Sequence, residues 1–473
     1  MSRKHVVIIG AGLAGLSAAE TLSRVAPNAI KVTLLEAKRT AGGRAGSFTD
    51  THTGDAVDYC QHVAMGCCTN LLGLLSRSGL DHIMNRYERL QFYHPGFPVS
   101  EFSPSRFLPA PLHLAKVIGQ QRYLSGSSRK EIRSAMKQLF RTPTKRLQSV
   151  TALHWLEQQK QSSDTIRDFW SVILVSALGD ACDHASMASA RKVLIDGFAA
   201  AKGASDVLVP RRPLSELFGC DLVHAIKTTG VHFRSQCVVK RIIADRSQLV
   251  GVETRSGELI HADAVISAVP WHAIGRLVDA SGISEAIPNL DPIRSIPASP
   301  ITGIHLWFDR PFMKNAHAVL VGGVAQWVFR QPFQSNRDDP ISHYHQVVIS
   351  GSHPISHLSK DEIVDQVIEE LRVHFPIAKQ ARLENARMVT DPLSVFSVRP
   401  EVEAIRPSSR CDPLPWFSLA GDWTATGWPS TMEGAVISGI QAASNAAQYL
   451  GFAAVEPDHG LPKNWLARML IVD

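Results

Sequence analysis

The residues best suited to chemistry stand near the amino terminus, where three glycines separate a predicted strand from a predicted helix. The apolar run 6–9 ends at Gly10, and Gly12 and Gly15 follow before an alanine-rich helical pattern. The first glycine allows a tight turn, the second lets the backbone approach a pyrophosphate, and the third lets helix and strand pack closely. Because a helix N-terminus offers free N–H groups to anions, the pattern predicts a dinucleotide site.

Glu36 and the run Gly42-Gly43-Arg44, which both follow this turn, indicate which dinucleotide binds. Glu36 ends the next predicted strand, where its carboxylate can accept hydrogen bonds from ribose hydroxyls. NAD and FAD proteins share that arrangement, but the run Gly42-Gly43-Arg44 favours FAD. The alternative is a glycine-rich turn of some other α/β protein. The strand before the glycines, the helix after them and the acid beyond argue against it.

Length and composition bound the class of protein. The chain has 473 residues, of which 45% are hydrophobic and 19% charged, which describes a globular protein large enough for two domains. No apolar run reaches the roughly 18 residues of a membrane-spanning helix, and the longest, 169–178, predicts a buried helix or strand. Since the first strand begins almost at once, we expect no signal peptide.

The cysteines and histidines give no metal-site pattern. The 7 cysteines form no CxxC pair, and the 20 histidines are scattered without zinc-type spacing. Reduced thiols in a cytoplasmic protein fit this usage best, and we expect no metal.

The positive charge is concentrated in one segment. Residues 105–150 contain ten Lys and Arg against the single acid Glu131, with apolar residues interleaved. Such a basic amphipathic segment suits an anionic membrane surface, which would make the protein peripheral on the inner membrane face. A solvated helical face of a second domain explains it equally well. We expect no nucleic-acid partner, because no known binding module accompanies the charge.

The order of strand and helix patterns predicts an α/β fold with a discontinuous Rossmann-type FAD-binding domain. The predicted strands 262–270 and 416–419 return to the first sheet, and a second α+β substrate domain is built from the insertions between them. A long substrate would lie between the domains, beside the flavin. The predicted bounds are 1–75, 200–275 and 405–455 for the FAD-binding domain, 76–199 and 276–404 for the substrate domain, and 456–473 for a C-terminal tail.

A second cofactor signature stands near the carboxyl end. Gly421 permits close approach of the backbone to a ligand, and Asp422 can bind a ribityl hydroxyl or support the phosphate loop. The predicted helix 431–449 points its free N–H groups at the flavin. Together with the N-terminal glycines, this block resembles the FAD-dependent amine oxidase and phytoene desaturase superfamily over essentially the whole chain. The resemblance implies a GR2-like flavoprotein.

Within that superfamily, four segments resemble the hydroxysqualene dehydroxylase family: Gln61-His62, 203–218, Arg406-Pro407 and 421–429. The resemblance implies reduction of the allylic alcohol hydroxysqualene to squalene by reduced FAD, in bacterial hopanoid synthesis. It also implies a long apolar isoprenoid substrate and upstream enzymes similar to squalene or phytoene synthases. One departure is visible, since Cys60 stands where a glycine usually precedes the Gln-His pair.

The resemblance also assigns positions to the cofactor, with Val239 using backbone groups at the adenine. No cysteine lies in 423–427, where some amine oxidases attach their flavin, so we expect non-covalent FAD. The positions expected to contact FAD are Gly10, Gly12, Leu13, Ala14, Gly15, Glu36, Arg44, Val239, Asp422, Met432 and Glu433, together with Gly421.

Removing an allylic hydroxyl requires an acid that makes water the leaving group. His62 is the first candidate, because its extended segment should pass the flavin and its ordinary pKa is near neutral, and Asp58 is the second. Purely structural hydrogen bonding by both is the alternative. Rival functions are a carotenoid-type phytoene desaturase working in the oxidative direction, an amine oxidase, and a non-catalytic flavin-binding partner of isoprenoid enzymes.

Overall fold

The computed structural model describes residues 3–245, 248–330 and 343–472. The strands are β1 Lys4–Ile9, β2 Ile30–Leu35, β3 Ser47–Thr49, β4 Ala56–Asp58, β5 Ala64–Met65, β6 Met84–Tyr87, β7 Leu90–Tyr93, β8 Ser100–Phe102, β9 Val207–Pro210, β10 His232–Arg234, β11 Val239–Asp245, β12 Gln248–Thr254, β13 Leu259–His261, β14 Ala264–Ser267, β15 Ala298–Phe308, β16 His317–Leu320, β17 Trp327–Arg330, β18 His343–Ser350, β19 Leu383–Phe396 and β20 Phe417–Leu419.

The α-helices are α1 Leu13–Val25, α2 Thr69–Arg77, α3 Val117–Gln120, α4 Gly126–Phe140, α5 Ala152–Gln158, α6 Ser163–Thr165, α7 Ser171–Leu178, α8 Met187–Leu194, α9 Leu214–Glu216, α10 Leu222–Thr228, α11 Trp271–Ser281, α12 Leu290–Arg294, α13 Lys360–His374, α14 Pro400–Ile405, α15 Met432–Tyr449 and α16 Trp465–Leu470. Single π-turns cover Ile166–Trp170, Ile195–Ala199 and Leu217–Asp221.

A five-stranded parallel sheet forms one half of the molecule, in the order β10-β2-β1-β14-β20. The residues of β14 and β20 are buried throughout, as expected of apolar strands covered on both faces. These two strands arise from the predicted runs 262–270 and 416–419, so three distant parts of the chain meet in this sheet. The α/β fold is confirmed, while the bounds of the two domains stay a prediction.

Helices α1 and α15 cross in contact beside this sheet. A Cβ placed on Gly439 would lie 2.2 Å from the carbonyl oxygen of Ala14, so the two backbones touch there. The Ser17 hydroxyl donates to the Val436 carbonyl at 2.9 Å. Small residues let the first and last cofactor segments approach this closely.

The other half contains a seven-stranded sheet, in the order β19-β15-β18-β17-β16-β7-β8. Its pairs are antiparallel except β16 with β7, and α13 packs on one face through an apolar core that includes Val367 and Leu371. Helix α13 begins at Lys360, because Ser359 and Glu362 close a capping box at its start.

Two segments of the chain contain more than one element. Strands β10 and β11 are separate, because Gln236 between them adopts a positive φ of 54° and the Cys237 N–H donates to the Glu36 carbonyl at 2.8 Å. The apolar run 169–178 forms the end of a π-turn followed by α7. In the three described ranges, no helix combines the length and apolar character required to cross a bilayer.

Candidate active site

The turn between β1 and α1 has the shape of a phosphate cradle. Gly10 has a positive φ of 102°, and a Cβ on Gly15 would lie 1.9 Å from the Gly10 carbonyl oxygen. By contrast, the nearest atom to a Cβ on Gly12 would be the Gly43 Cα, at 3.8 Å. Among the residues that the structure describes, no side chain caps the start of α1 at Gly12, so the N–H groups of Leu13 and Ala14 head the helix without a side-chain acceptor there. An anionic group fits this helix end.

Glu36 has a local role besides its predicted contact with ribose. It is buried, and its two carboxylate oxygens accept hydrogen bonds from the backbone N–H groups of Ala11 and Lys38, each at 2.8 Å. The carboxylate therefore fixes the glycine turn against the loop that follows β2. Because each carboxylate oxygen has a second lone pair, further hydrogen bonds from a ligand remain chemically available.

Arg44 and Asp422 meet although they belong to opposite ends of the chain. The Arg44 guanidinium donates to the buried Asp422 carboxylate and, at 2.9 Å, to the Ser394 carbonyl on β19. The second carboxylate oxygen accepts from the Ser430 hydroxyl. The ring of Trp271 lies 5.4 Å below the guanidinium. Arg44 thereby ties the Gly42–Gly43 turn, the C-terminal loop and the second sheet together.

Arg406 fixes the C-terminal loop from the other side. Its side chain is almost fully buried, paired with Glu403 at 3.0 Å, and it donates to the carbonyl oxygens of Asp422 and Thr424. Gly421, with φ of 145°, precedes this loop, and its N–H donates to Ser438 at 2.8 Å. These contacts hold the loop in one conformation at the start of α15.

Glu433 lies at the start of α15 but points away to another helix. Its carboxylate accepts from the Asn70 N–H at 3.0 Å, the Asn70 amide at 2.8 Å and the Leu71 N–H at 2.8 Å. It thus satisfies the N-terminus of α2, and burial raises its pKa. Met432, the first residue of α15, is half-buried. Contact of these two residues with FAD stays a prediction.

Val239 begins β11 close to Glu36. The neighbouring N–H groups of Gln236 and Cys237 donate to the carbonyl oxygens of Lys38 and Glu36, at 3.0 and 2.8 Å. Val239 therefore stands two residues beyond the contact of Cys237 with Glu36, and its own contact with the adenine stays a prediction.

Asp58 ends β4 and is buried at 2% exposure. One carboxylate oxygen accepts from the Ser47 hydroxyl at 2.7 Å and from the Leu214 N–H at 2.8 Å, which caps α9. The other oxygen, Oδ2, has no hydrogen-bond partner among the described residues. Burial raises the pKa of Asp58 to about 7. This carboxyl therefore holds a proton near neutral pH while organising a turn.

His62 lies where the two sheets meet. The preceding segment runs against the second sheet, since the Gln346 amide donates to the Asp58 carbonyl at 3.0 Å and a Cβ on Gly303 would lie 2.5 Å from the Tyr59 carbonyl. His62 Nδ1 is 2.8 Å from the Cys60 carbonyl, so this nitrogen carries the proton and Nε2 is left for another partner. Burial, and secondarily the Arg44 cation, lower the pKa of His62.

Cys60 occupies the position where the resemblance leads one to expect a glycine. Burial raises the pKa of its thiol to about 12, so it is a neutral, unreactive group. Its carbonyl oxygen orients His62, which is a backbone role that any residue can fill.

Several residues around this junction gave no signal in the sequence. Ser430 and Trp271 contact the Arg44–Asp422 pair, but their neighbours in the chain carry no pattern that marks them. His305 and Tyr344 form a hydrogen bond of 2.7 Å across β15 and β18, and burial lowers the pKa of His305 to about 4. Only strand pairing brings these side chains together.

Comparisons of the sequence and of the structure with known proteins identify the family of this chain. Relatives include a hydroxysqualene dehydroxylase of Sinorhizobium fredii, 26% identical over 94% of this chain and 98% of its own, and a 15-cis-phytoene desaturase of Synechococcus elongatus, 23% identical over 92% and 94%. Cyclohexylamine oxidase from Brevibacterium oxydans has a similar structure, with a TM-score of 0.67 at 19% identity, covering 95% of this chain and 100% of its own. The model of the flavin-containing amine oxidoreductase family matches residues 13–447. The chain therefore belongs to that family and is an FAD-dependent oxidoreductase.

Proposed function

We propose that the protein reduces hydroxysqualene to squalene, with non-covalently bound FAD as the cofactor. The observation that carries the proposal is the position of His62, whose Nδ1 is fixed by the Cys60 carbonyl at the junction of the two sheets, beside Arg44. The Gln61-His62 pair and the resemblance to hydroxysqualene dehydroxylases support the same substrate, as does the relative from Sinorhizobium fredii.

The residues present fit FAD. The open space at Gly12 and the uncapped start of α1 suit a pyrophosphate, and Glu36 with Val239 suit the adenosine part. The start of α15 and the loop held by Arg44 and Arg406 suit the flavin end. When bound in its reduced form, FAD supplies the hydride that replaces the hydroxyl group.

The reaction is balanced with one proton and one hydride. The carbon–oxygen bond of the allylic alcohol breaks, the oxygen leaves as water after protonation, and a new carbon–hydrogen bond forms. The substrate gains two electrons and FAD is reoxidised, and an external reductant must reduce the flavin again.

In this proposal His62 protonates the leaving hydroxyl through Nε2. Its lowered pKa makes the imidazolium a stronger acid than an ordinary histidine, although less of it is protonated at neutral pH. Asp58 is the second candidate, because its pKa of about 7 keeps the carboxyl protonated under mildly acidic conditions. Its hydrogen bonds to Ser47 and Leu214 favour a supporting role for it.

The proposed substrate also suggests where the protein acts and which enzymes supply it. Hydroxysqualene is a long apolar isoprenoid that resides in a bilayer, so we place the protein in the cytoplasm, peripheral on the inner membrane face. Enzymes similar to squalene or phytoene synthases would supply the substrate.

The second candidate is desaturation of phytoene, in which the substrate loses hydride to oxidised FAD. The phytoene desaturases among the relatives favour it, at 23% to 26% identity over most of the chain. Incubating purified protein anaerobically with hydroxysqualene and reduced FAD, and separately with phytoene and an electron acceptor, tests both reactions. Squalene in the first reaction supports the proposal, whereas desaturated product in the second alone favours the rival.

A further inference from the structure

A loop spanning residues 105–113, called here the apolar loop, displays large hydrophobic side chains to solvent. Phe107 is 95% exposed, and Leu108 and Leu112 are 41% and 45% exposed. The Ser105 N–H donates to the His113 carbonyl at 2.8 Å, which closes the loop. The Ser105 hydroxyl also accepts weakly from the N–H groups of Phe107 and Leu108, at 3.3 and 3.4 Å. The fold thus holds apolar side chains outward, a feature of interaction sites.

Exposed Lys and Arg side chains lie in the apolar loop and after it in the chain. Arg106 lies within it, Lys116 and Arg122 follow it, and α4 continues with Lys130 and Lys137. In the described ranges Arg106 pairs with Glu88, while the other four form no ion pair. Anionic headgroups therefore complement this charge, and apolar insertion with basic flanks is the usual composition of a peripheral membrane contact.

The apolar residues of α4 cannot make that contact. Ile132, Ala135 and Leu139 are buried in the core, with at most 1% exposure. Helix α4 therefore contributes mainly charge, and the exposed side chains of the apolar loop supply the hydrophobic part of the proposed lipid contact.

The base of the apolar loop leads toward the junction where His62 lies. Phe102, just before the loop, packs edge-on against half-buried Phe198, with ring centroids 5.9 Å apart. The Lys202 amine donates to the Arg106 carbonyl at 2.8 Å, which fixes the loop to the same segment. Beside Phe198, a Cβ on Gly197 would lie 3.9 Å from the Met65 Cε. Met65 is half-buried and stands three residues after His62.

We propose that the apolar loop inserts into an anionic bilayer and admits an isoprenoid substrate from the membrane past Phe198 and Met65. Insertion rests only on the exposed side chains and charges, whereas passage of the substrate rests on the proposed function. A second copy of this chain is a poorer occupant, because pairing two such surfaces brings like charges together.

Insertion is tested by sedimentation with vesicles made of equal parts of phosphatidylcholine and phosphatidylglycerol. Because serine loses most of the apolar transfer free energy, the double variant Phe107→Ser, Leu108→Ser should bind at least about tenfold more weakly. The matched control is Leu259→Ser, Tyr449→Ser, at two side chains outside residues 105–150 that are also exposed, at 40% and 45%. The control should bind like the wild type.

Unchanged binding of the loop variant overturns the proposal, as does loss of binding confined to the control variant. Self-association of the wild type that the loop substitutions abolish, without vesicle binding, would assign the surface to a second copy instead. Circular dichroism and retained FAD show that each variant is folded.

Passage is tested by comparing turnover of hydroxysqualene in vesicles with turnover in detergent micelles. The loop variant should lose about tenfold with vesicles and keep its activity in micelles, because micelles deliver the substrate without insertion. Equal loss in both would overturn entry through the loop. If the wild type turns over neither preparation while still binding vesicles, the proposed function fails and the insertion stands.

Discussion

The Arg44 guanidinium binds the Asp422 carboxylate across 378 positions of the chain. Asp422 also accepts from Ser430 at the entry to α15, and Arg44 also reaches Ser394 on β19. One cation therefore holds the first glycine-rich segment, the C-terminal loop and the second sheet in register. This contact joins both ends of the chain at the predicted cofactor site, as the packing of α1 on α15 does.

Replacing Arg44 with Met should destabilise the protein by about 3 kcal/mol, because the Asp422 carboxylate would stay buried with its charge unpaired. Chemical denaturation followed by tryptophan fluorescence measures the change. The matched control is Arg294→Met, which breaks the exposed pair with Asp279 and should cost less than about 1 kcal/mol. An equal loss of unfolding free energy in both variants would contradict a larger contribution of the Arg44–Asp422 pair to stability.

Two glycine substitutions separate packing from cofactor binding. Gly15→Ala should destabilise the protein even without FAD, by roughly 2 kcal/mol or more, because the new Cβ overlaps the Gly10 carbonyl. Gly12→Ala should leave the stability of the apoprotein within about 1 kcal/mol, since its Cβ would make only an ordinary contact with the Gly43 Cα at 3.8 Å. It should still weaken FAD binding, measured by flavin fluorescence, by tenfold or more. Unaltered FAD affinity of Gly12→Ala would place the pyrophosphate elsewhere.

The pH dependence of turnover distinguishes the two candidate acids. If His62 must be protonated, kcat/KM falls as pH rises through a midpoint below 6.5, because burial and Arg44 lower its pKa. If Asp58 is the acid, the midpoint lies at about 7. His62→Gln should lower kcat about 100-fold or more with FAD retained. His272→Gln is the matched control and should have little effect, because His272 is another histidine whose pKa is lowered by burial and by Arg44.

Asp58 should also make stability depend on pH. Its pKa is raised from 3.8 to about 7 in the fold, so the folded state binds the proton more tightly than the unfolded chain does. This stabilisation is complete below pH 3.8 and is lost as pH rises through 7. Asp58→Asn removes the titration, so the stability of the variant relative to wild type should rise between pH 4 and 8. The full span is at most about 4 kcal/mol, and a flat difference would contradict the raised pKa.

The sequence was informative where chemistry and local structure coincide. The turn at Gly10, Gly12 and Gly15 and the position of Glu36 after β2 could be predicted because a strand, a turn and a helix follow one another in the chain. The Gly421-Asp422 loop could be predicted for the same reason. In both places the backbone conformation is determined by residues that are close in the sequence.

Contacts made by tertiary packing could not be predicted. The hydrogen bonds from Asn70 and Leu71 to Glu433 join α2 to α15 across more than 360 positions. The interleaved apolar residues of 105–150 could not be sorted into core and surface either. Burial of Ile132 and exposure of Phe107 depend on which elements pack against each of them.

The identity of the product formed from hydroxysqualene tests the central claim most directly. Purified protein, reduced FAD and hydroxysqualene are incubated without oxygen, and the extracted lipids are analysed by mass spectrometry. We expect squalene in an amount equal to the FAD reoxidised. In D₂O, where N5 of reduced flavin carries deuterium, we expect deuterium on the former alcohol carbon. Unchanged hydroxysqualene with fully bound, reduced FAD would contradict the proposed function.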